Sequence, residues 1–316
     1  MSLPNFMCLG AAKSGTTTLY DILRQHPDVY IPSFKEPHFF DIPENYKNGI
    51  NWYGKNYFKN ANQKIVADFT PSYFFDKEAP KRIFESLGNK VKFVVILRNP
   101  VDRAYSHYLH SKRDDHEDLE FKEALMNESS RLKKYEENGD YLSYLRQSYV
   151  SQGLYFDMLE RYLEYFSLDN FLIIHFEDEF IKHREETMIK ILNFLEIENF
   201  DLKIDFKSNP ASQEKSKTLK RIMKKRGWWR ILLKKMIPSL KIRQIIKNRI
   251  QRANISTFTP EKLSIIQRKN NYACKRKNII CFWNFILRKL PEAIYRYKET
   301  LNIRANWNLE IDWYIN

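Results

Sequence analysis

Gly10-Ala11-Ala12-Lys13-Ser14-Gly15-Thr16-Thr17-Thr18-Leu19 follows a short apolar run, Phe6-Met7-Cys8-Leu9. It opens a segment that keeps Leu19, Ile22 and Leu23 on one helical face and stops at His26-Pro27. This order predicts a strand, a glycine-bounded turn and a helix N-terminus. The free N–H groups and partial positive charge of a first helical turn make an anion site. Gly10 and Gly15 let the backbone turn tightly and approach a phosphate closely. Lys13 supplies a mobile cation, and Thr16, Thr17 and Thr18 supply hydroxyl donors. The nucleotide-triphosphatase form of such a loop places lysine directly after the second glycine, with a hydroxyl that holds magnesium. Here Thr16 takes that place and Lys13 precedes Gly15 by two residues. The arrangement suits a 5'-phosphate group held without a metal-bound triphosphate. An ordinary glycine-rich turn between strand and helix is the plain alternative.

Strands alternate with helices outward from this loop, which predicts an α/β fold: a P-loop-like parallel sheet flanked by helices. Val29-Tyr30-Ile31 leads to Pro32, and Lys64 to Asp68 reads as a buried strand ended by Thr70-Pro71. Val91 to Leu97, apolar except for Lys92, reads as an inner parallel strand, and Phe171 to Phe176 as another. Helices are expected at 78–87, 101–110, 119–126, 151–166 and 185–195. Ser129 to Asp140 reads as a solvent loop or an exposed helix. Pro32 and Pro37 keep Phe34-Lys35-Glu36-Pro37-His38-Phe39-Phe40-Asp41 extended. Gly49 to Phe58 is rich in Trp and Tyr; Trp52 and Tyr53 there suit either core or a sugar platform.

The chain has 316 residues, 43% hydrophobic and 15% aromatic, enough for a large core. Cys8, Cys274 and Cys281 form no paired spacing, which argues against a disulfide framework and a zinc site. No apolar run approaches the ~20 residues of a membrane-spanning helix. The phosphate loop begins so early that no signal peptide is expected, giving a cytoplasmic location, at most peripheral to a membrane. Net charge is +14, unevenly placed. Ala211 to Arg304 holds 26 Lys and Arg against 4 Asp and Glu, and the remainder 27 against 35. The expected organisation is an α/β core over 1–207 and a basic helical C-terminal portion over 208–316, packed on that core or completing it. Such a basic third, with Trp228-Trp229 among Lys and Arg, suits solvated helix faces, an anionic membrane face or a polyanionic glycan. No nucleic-acid recognition module is visible.

Three segments fall at the C-terminal ends of expected parallel strands, where α/β sheets place ligands. They are the phosphate loop, Glu36 with His38, and Arg98 with Ser106, the last pair two helical turns apart. An arginine fork and a hydroxyl can hold a second phosphate. With these residues the chain resembles the sulfotransferases that use 3'-phosphoadenosine 5'-phosphosulfate, above all the heparan-sulfate type and its bacterial relatives. Gly-Ala-Ala-Lys-Ser-Gly-Thr-Thr resembles that family's 5'-phosphosulfate loop, and Leu97 to Tyr108 its 3'-phosphate segment. Lys35 to Asp41 is similar to the loop carrying the catalytic glutamate; Gly49 to Tyr53 and Thr70 to Phe74 also fit.

The resemblance implies metal-free, in-line transfer of a sulfuryl group to a carbohydrate hydroxyl or amine. Glu36 is then the base, with its aromatic loop (Phe34, Phe39, Phe40) placed to raise its pKa. Lys13 neutralises the leaving phosphate, and His38 orients Glu36 or the acceptor. Ser14 to Thr17 hold the 5'-phosphate, and Arg98 and Ser106 the 3'-phosphate. The heparan-sulfate branch often has a lysine before the Thr-Pro, where this chain has Phe69. Arg249 to Ser256, with Arg252 as anchor, is the expected segment closing the cofactor site. A P-loop kinase or nucleotide hydrolase, or a non-catalytic protein binding anionic glycans or membranes, is the rival reading.

Overall fold

Phe6 and Cys8 point to one side of strand β1 (Phe6–Gly10) and Met7 and Leu9 to the other, and all four are fully buried. A strand covered on both faces needs apolar residues at every position, which is why its sequence lacks alternation. The computed structural model describes residues 2–205 and two short strands beyond them. Its main sheet joins β1, β2 (Val29–Tyr30), β3 (Ile65–Asp68), β4 (Lys92–Leu97) and β5 (Phe171–His175). The strands are parallel, in the order β2-β3-β1-β4-β5. Phe6 lies in register with Ala67 on one side and Lys92 on the other. With β2 and β3 on one flank of β1 and β4 and β5 on the other, a crevice opens at the C-terminal end of β1.

The helices are α1 (Thr16–Leu23), α2 (Pro43–Tyr46), α3 (Ile50–Tyr57), α4 (Ala79–Leu87) and α5 (Pro100–Arg113). They continue with α6 (Phe121–Met126), α7 (Glu128–Asn138), α8 (Tyr141–Gln147), α9 (Tyr155–Leu163) and α10 (Arg184–Phe194). On one face of the sheet Met7, Leu9, Phe93 and Val95 pack with Tyr53, Ile83, Met158 and Tyr162 from α3, α4 and α9. On the other, Phe6, Cys8, Val94 and Ile96 pack with Leu19 and Ile22 of α1 and Met188 and Ile191 of α10. A third cluster, with Tyr105, Tyr108, Leu125 and Tyr149, ties α5 to α6 and to the segment before α9. The two short outlying strands, β6 (Ser212–Glu214) and β7 (Ile255–Thr257), pair antiparallel, and β6 lies against α5.

The expected parallel sheet and flanking helices are present. Helix α5 runs a turn beyond the expected His110, and the Asn99 side chain caps its start by accepting from the N–H of Val101 and Asp102. The polar stretch 129–140 is an exposed helix, α7, closed by Gly139 at φ 68°. Tyr53 is core: it is fully buried and stacks on Phe39 at 4.4 Å, so it offers no sugar platform. No helix among the described residues is long and apolar enough to cross a membrane. The expected basic helical portion over 208–316, Arg252 included, lies outside the described residues apart from β6 and β7.

Candidate active site

The loop between β1 and α1 turns on Gly15, the N-cap of α1, at φ 85° and ψ 10°. Gly15 has no side chain to cap the helix, so the first-turn N–H groups face the crevice. A Cβ there would sit 2.8 Å from Phe180 and 3.0 Å from Phe176, so the phenyl rings after β5 demand glycine as much as the turn does. Ser14 is fully buried, and its Oγ has no hydrogen-bond partner among the described residues. A buried hydroxyl without a partner costs about 1–3 kcal/mol unless a ligand satisfies it, which fits an anion seated at the loop.

Arg98 leaves β4 and reaches back to this loop. Its Nη1 donates to the Lys13 carbonyl at 3.0 Å, and its guanidinium lies 5.0 Å from the Phe176 ring centre. Tyr155 donates to the Arg98 carbonyl at 2.8 Å, and Glu177 stands 4.0 Å from Arg98 Nε. That Nε is buried without a hydrogen-bond partner among the described residues, a second unsatisfied donor beside the crevice. The arginine thus joins the phosphate loop to β4. Ser106 lies half-buried on α5, two turns beyond Asn99.

Lys13 adopts φ 72°, and burial pushes its pKa down to about 8. The charges of Arg113, Arg98 and Arg146 push the same way, and Asp114 opposes them. Arg113, Arg146 and Asp114 form a polar cluster at the end of α5. Arg113 Nε and Arg146 Nη1 bind the two Asp114 oxygens at 3.0 and 3.1 Å, and Arg146 also donates to His110 Nδ1 at 3.0 Å. Burial and the nearby cations push His110 down to about 3, leaving it a neutral acceptor at ordinary pH.

The loop after β2 carries the carboxylates. Glu36 and His38 both take left-handed backbone, at φ 63° and 51°. Lys35 Nζ donates to Glu36 Oε1 at 3.1 Å and to Thr17 Oγ1, on the first turn of α1, at 2.9 Å. His38 Nδ1 contacts the buried Asp41 at 2.8 Å, which turns Nε2 toward Glu36 Oε2 at 3.8 Å. Ser72 donates to the same Asp41 oxygen at 2.5 Å. Burial alone would lower the His38 pKa, but the Asp41 hydrogen bond and the charges of Asp41 and Glu36 raise it. The aromatic residues of the loop do not wrap Glu36 as expected. Phe39 and Phe40 are fully buried in the core, Phe34 is exposed, and Glu36 is half exposed beside Lys35. Alternating side chains of an extended loop cannot all face one carboxylate.

Beneath the loop, Asp68 ends β3 fully buried. It accepts from Tyr53 at 2.5 Å, Thr70 at 2.6 Å and Tyr73 at 3.1 Å. Tyr73 Oη in turn accepts from the Phe39 N–H at 2.9 Å, which anchors the loop carrying Glu36 and His38.

Residues 3–266 match the family described as "Sulfotransferase domain". The chain belongs to the sulfotransferase domain family. The sulfotransferase domain is 31% identical to a solved sulfotransferase from Alicyclobacillus acidocaldarius, at TM-score 0.57, over 66% of this chain and 88% of that one. It is 33% identical over 179 residues to heparan sulfate glucosamine 3-O-sulfotransferase 5 of Mus musculus, covering 54% of this chain and 47% of that protein. It is 37% identical over 187 residues to the mouse bifunctional heparan sulfate N-deacetylase/N-sulfotransferase 4, covering 54% of this chain and 20% of that protein. The sulfotransferase chain thus spans about half the length, or less, of these curated relatives.

Of the residues expected at the site, Lys13, Ser14, Gly15, Thr16, Thr17 and Arg98 converge on one end of β1 and β4, with Glu36 tied to them through Lys35. Asp41, Ser72 and the Asp114 cluster escaped the sequence reading. Asp41 stood in the quoted loop, but its burial and its contact with His38 depend on Ser72, which comes from a distant segment.

Proposed function

We propose that this protein is a sulfotransferase that moves a sulfuryl group from 3'-phosphoadenosine 5'-phosphosulfate to a hydroxyl or amine of a carbohydrate. The observation that carries this reading is the contact between Arg98 and the Lys13 carbonyl. It supports two anion seats side by side, each with a buried donor, Ser14 Oγ or Arg98 Nε, that has no hydrogen-bond partner among the described residues. The donor supplies a sulfuryl group on a good phosphate leaving group.

This chain's residues supply the rest. Ser14, Gly15, Thr16 and Thr17 hold the 5'-phosphate through N–H and hydroxyl groups, and Lys13 neutralises charge growing on the leaving oxygen. Arg98 and Ser106 bind the 3'-phosphate, which selects this donor over ATP, and Arg252 is the proposed closing contact. Glu36 takes the acceptor proton, a role worth roughly 10²–10⁴-fold. His38, fixed by Asp41 and Ser72, orients Glu36 from Nε2. The heparan-sulfate relatives support a glycan acceptor, and the cations around Lys13 and in the basic third would favour an anionic one. The match running to residue 266 supports a C-terminal portion that completes the domain.

Thermal stabilisation separates this reading from its rivals. Adenosine 3',5'-bisphosphate should raise the melting temperature, and ATP with magnesium should not. Radiolabelled sulfate should then pass from the donor to at least one member of a panel that includes desulfated heparan sulfate. A shift with ATP–magnesium alone would instead favour a kinase, and no shift with either a non-catalytic binding protein.

A further inference from the structure

Position 69, directly before Thr70-Pro71, holds a phenylalanine that is 1% exposed and meets Phe6 and Tyr20 edge-on at 5.9 and 5.6 Å. It brings no cation to the site. Lys13, with a pKa of about 8, loses its charge as pH rises above 8. A sulfuryl group in flight spreads negative charge over its oxygens and the leaving phosphate, so a fixed positive charge on its path stabilises transfer.

Among the described residues, Lys35 is the ammonium that contacts both halves of the site. Its Nζ is 2.9 Å from Thr17 Oγ1, on the helix turn proposed for the 5'-phosphate, and 3.1 Å from the carboxylate of Glu36, the proposed base. Its side chain is 20% exposed. It stands near enough to the end of β1 for its charge to act on the buried Cys8 thiol. The transferring group must pass between an oxygen held at the first turn of α1 and an acceptor oxygen beside Glu36. A cation that touches both end points lies on that path.

Resting on the sulfotransferase reading, we propose that Lys35 is a catalytic residue that binds the sulfuryl oxygens, a second cation working beside Lys13. In the step it serves, the acceptor oxygen forms a bond to sulfur and its proton passes to Glu36. The bond between sulfur and the 5'-phosphate oxygen breaks, and its electron pair stays on that oxygen, leaving adenosine 3',5'-bisphosphate. As Glu36 becomes neutral it releases its hold on Lys35, whose charge is then free for the sulfuryl oxygens. In the resting protein the same ammonium occupies one lone pair of Thr17 Oγ1, which leaves that hydroxyl to donate into the phosphate seat.

The test compares two ligands that differ only in the sulfuryl group. Calorimetry measures 3'-phosphoadenosine 5'-phosphosulfate and adenosine 3',5'-bisphosphate on the full chain, wild type, Lys35→Met and Lys35→Arg. The Met variant should lose about tenfold in affinity for the sulfated ligand while its bisphosphate affinity stays within about threefold, since one charge-assisted contact is removed. The Arg variant should recover most of the difference. Equal losses for both ligands would make Lys35 a support of the loop only, and no loss for either would remove it from the site; both results overturn the proposal. A wild-type chain that binds neither ligand would instead sink the sulfotransferase reading itself.

Discussion

The charge of Lys13 is set by burial and by its cationic neighbours. Burial first, and then the charges of Arg113, Arg98 and Arg146, bring its pKa to about 8, so it is largely charged at pH 7 and largely neutral at pH 9. A bound phosphate favours the charged form, so affinity for adenosine 3',5'-bisphosphate should fall above pH 8, by up to about tenfold per pH unit. Lys13→Arg should flatten that fall, because guanidinium keeps its proton; titration calorimetry from pH 7 to 9.5 reads both. Glu36 carries a different expectation. Its side chain is half exposed and, among the described residues, bonds Lys35 and no backbone group, so Glu36→Gln removes the capacity to take a proton and the charge on the Lys35 pair and little else. Transfer should drop by roughly 10²–10⁴-fold while bisphosphate binding holds within about twofold, measured by radiolabelled turnover and calorimetry on one preparation. Retained turnover would give the base role to another group.

At the scale of elements, the turn from β1 into α1 is held from outside as well as from within. Gly15→Ala would put a methyl 2.8 Å from Phe180 and ask an L-residue to hold φ 85°. The two costs together should lower stability by about 1–3 kcal/mol, seen as a melting temperature several degrees lower, with weaker bisphosphate binding. The sequence made this element legible because glycine spacing and an apolar run before it are local signals. The same holds for β4 and α5, where a Val-Val-Ile-Leu run, Asn99 and Pro100 state the strand, the cap and the helix start. Much of the site was legible too, as phosphate loop, arginine and acidic loop fall in order along the chain. What stayed hidden depends on contacts between distant segments. Nothing near Arg98 announces that it bonds the Lys13 carbonyl, 85 positions away. Nothing near Phe39 announces that it and its neighbour Phe40 turn into the core rather than toward Glu36. Helix α8 was missed because its seven residues carry too few turns for a period to show.

Across the whole molecule, one buried carboxylate couples the sheet to the acidic loop. Asp68 receives three hydroxyl donors, and Tyr73 passes that anchorage on to the Phe39 N–H. Burial raises its pKa from 3.8 to about 6, against the three hydrogen bonds that pull it down. The folded protein therefore keeps this proton between about pH 4 and 6, where the unfolded chain has released it. Stability from this group falls as pH rises across that window, by an amount on the order of 3 kcal/mol. Asp76, also raised to about 6, acts in the same direction, and His110, lowered to about 3, acts against it. Wild-type stability alone cannot isolate Asp68, but a difference between two proteins can. Asp68→Asn removes the titration and keeps the shape, at the cost of turning one amide N–H₂ toward hydroxyl donors. The variant should be clearly less stable than wild type at pH 4, and the gap should shrink by up to about 3 kcal/mol by pH 7, read from urea unfolding at each pH. A gap that stays constant from pH 4 to 7 would mean that Asp68 titrates in the folded protein as it does in the unfolded chain. The anchorage under the acidic loop would then be that of an ordinary carboxylate.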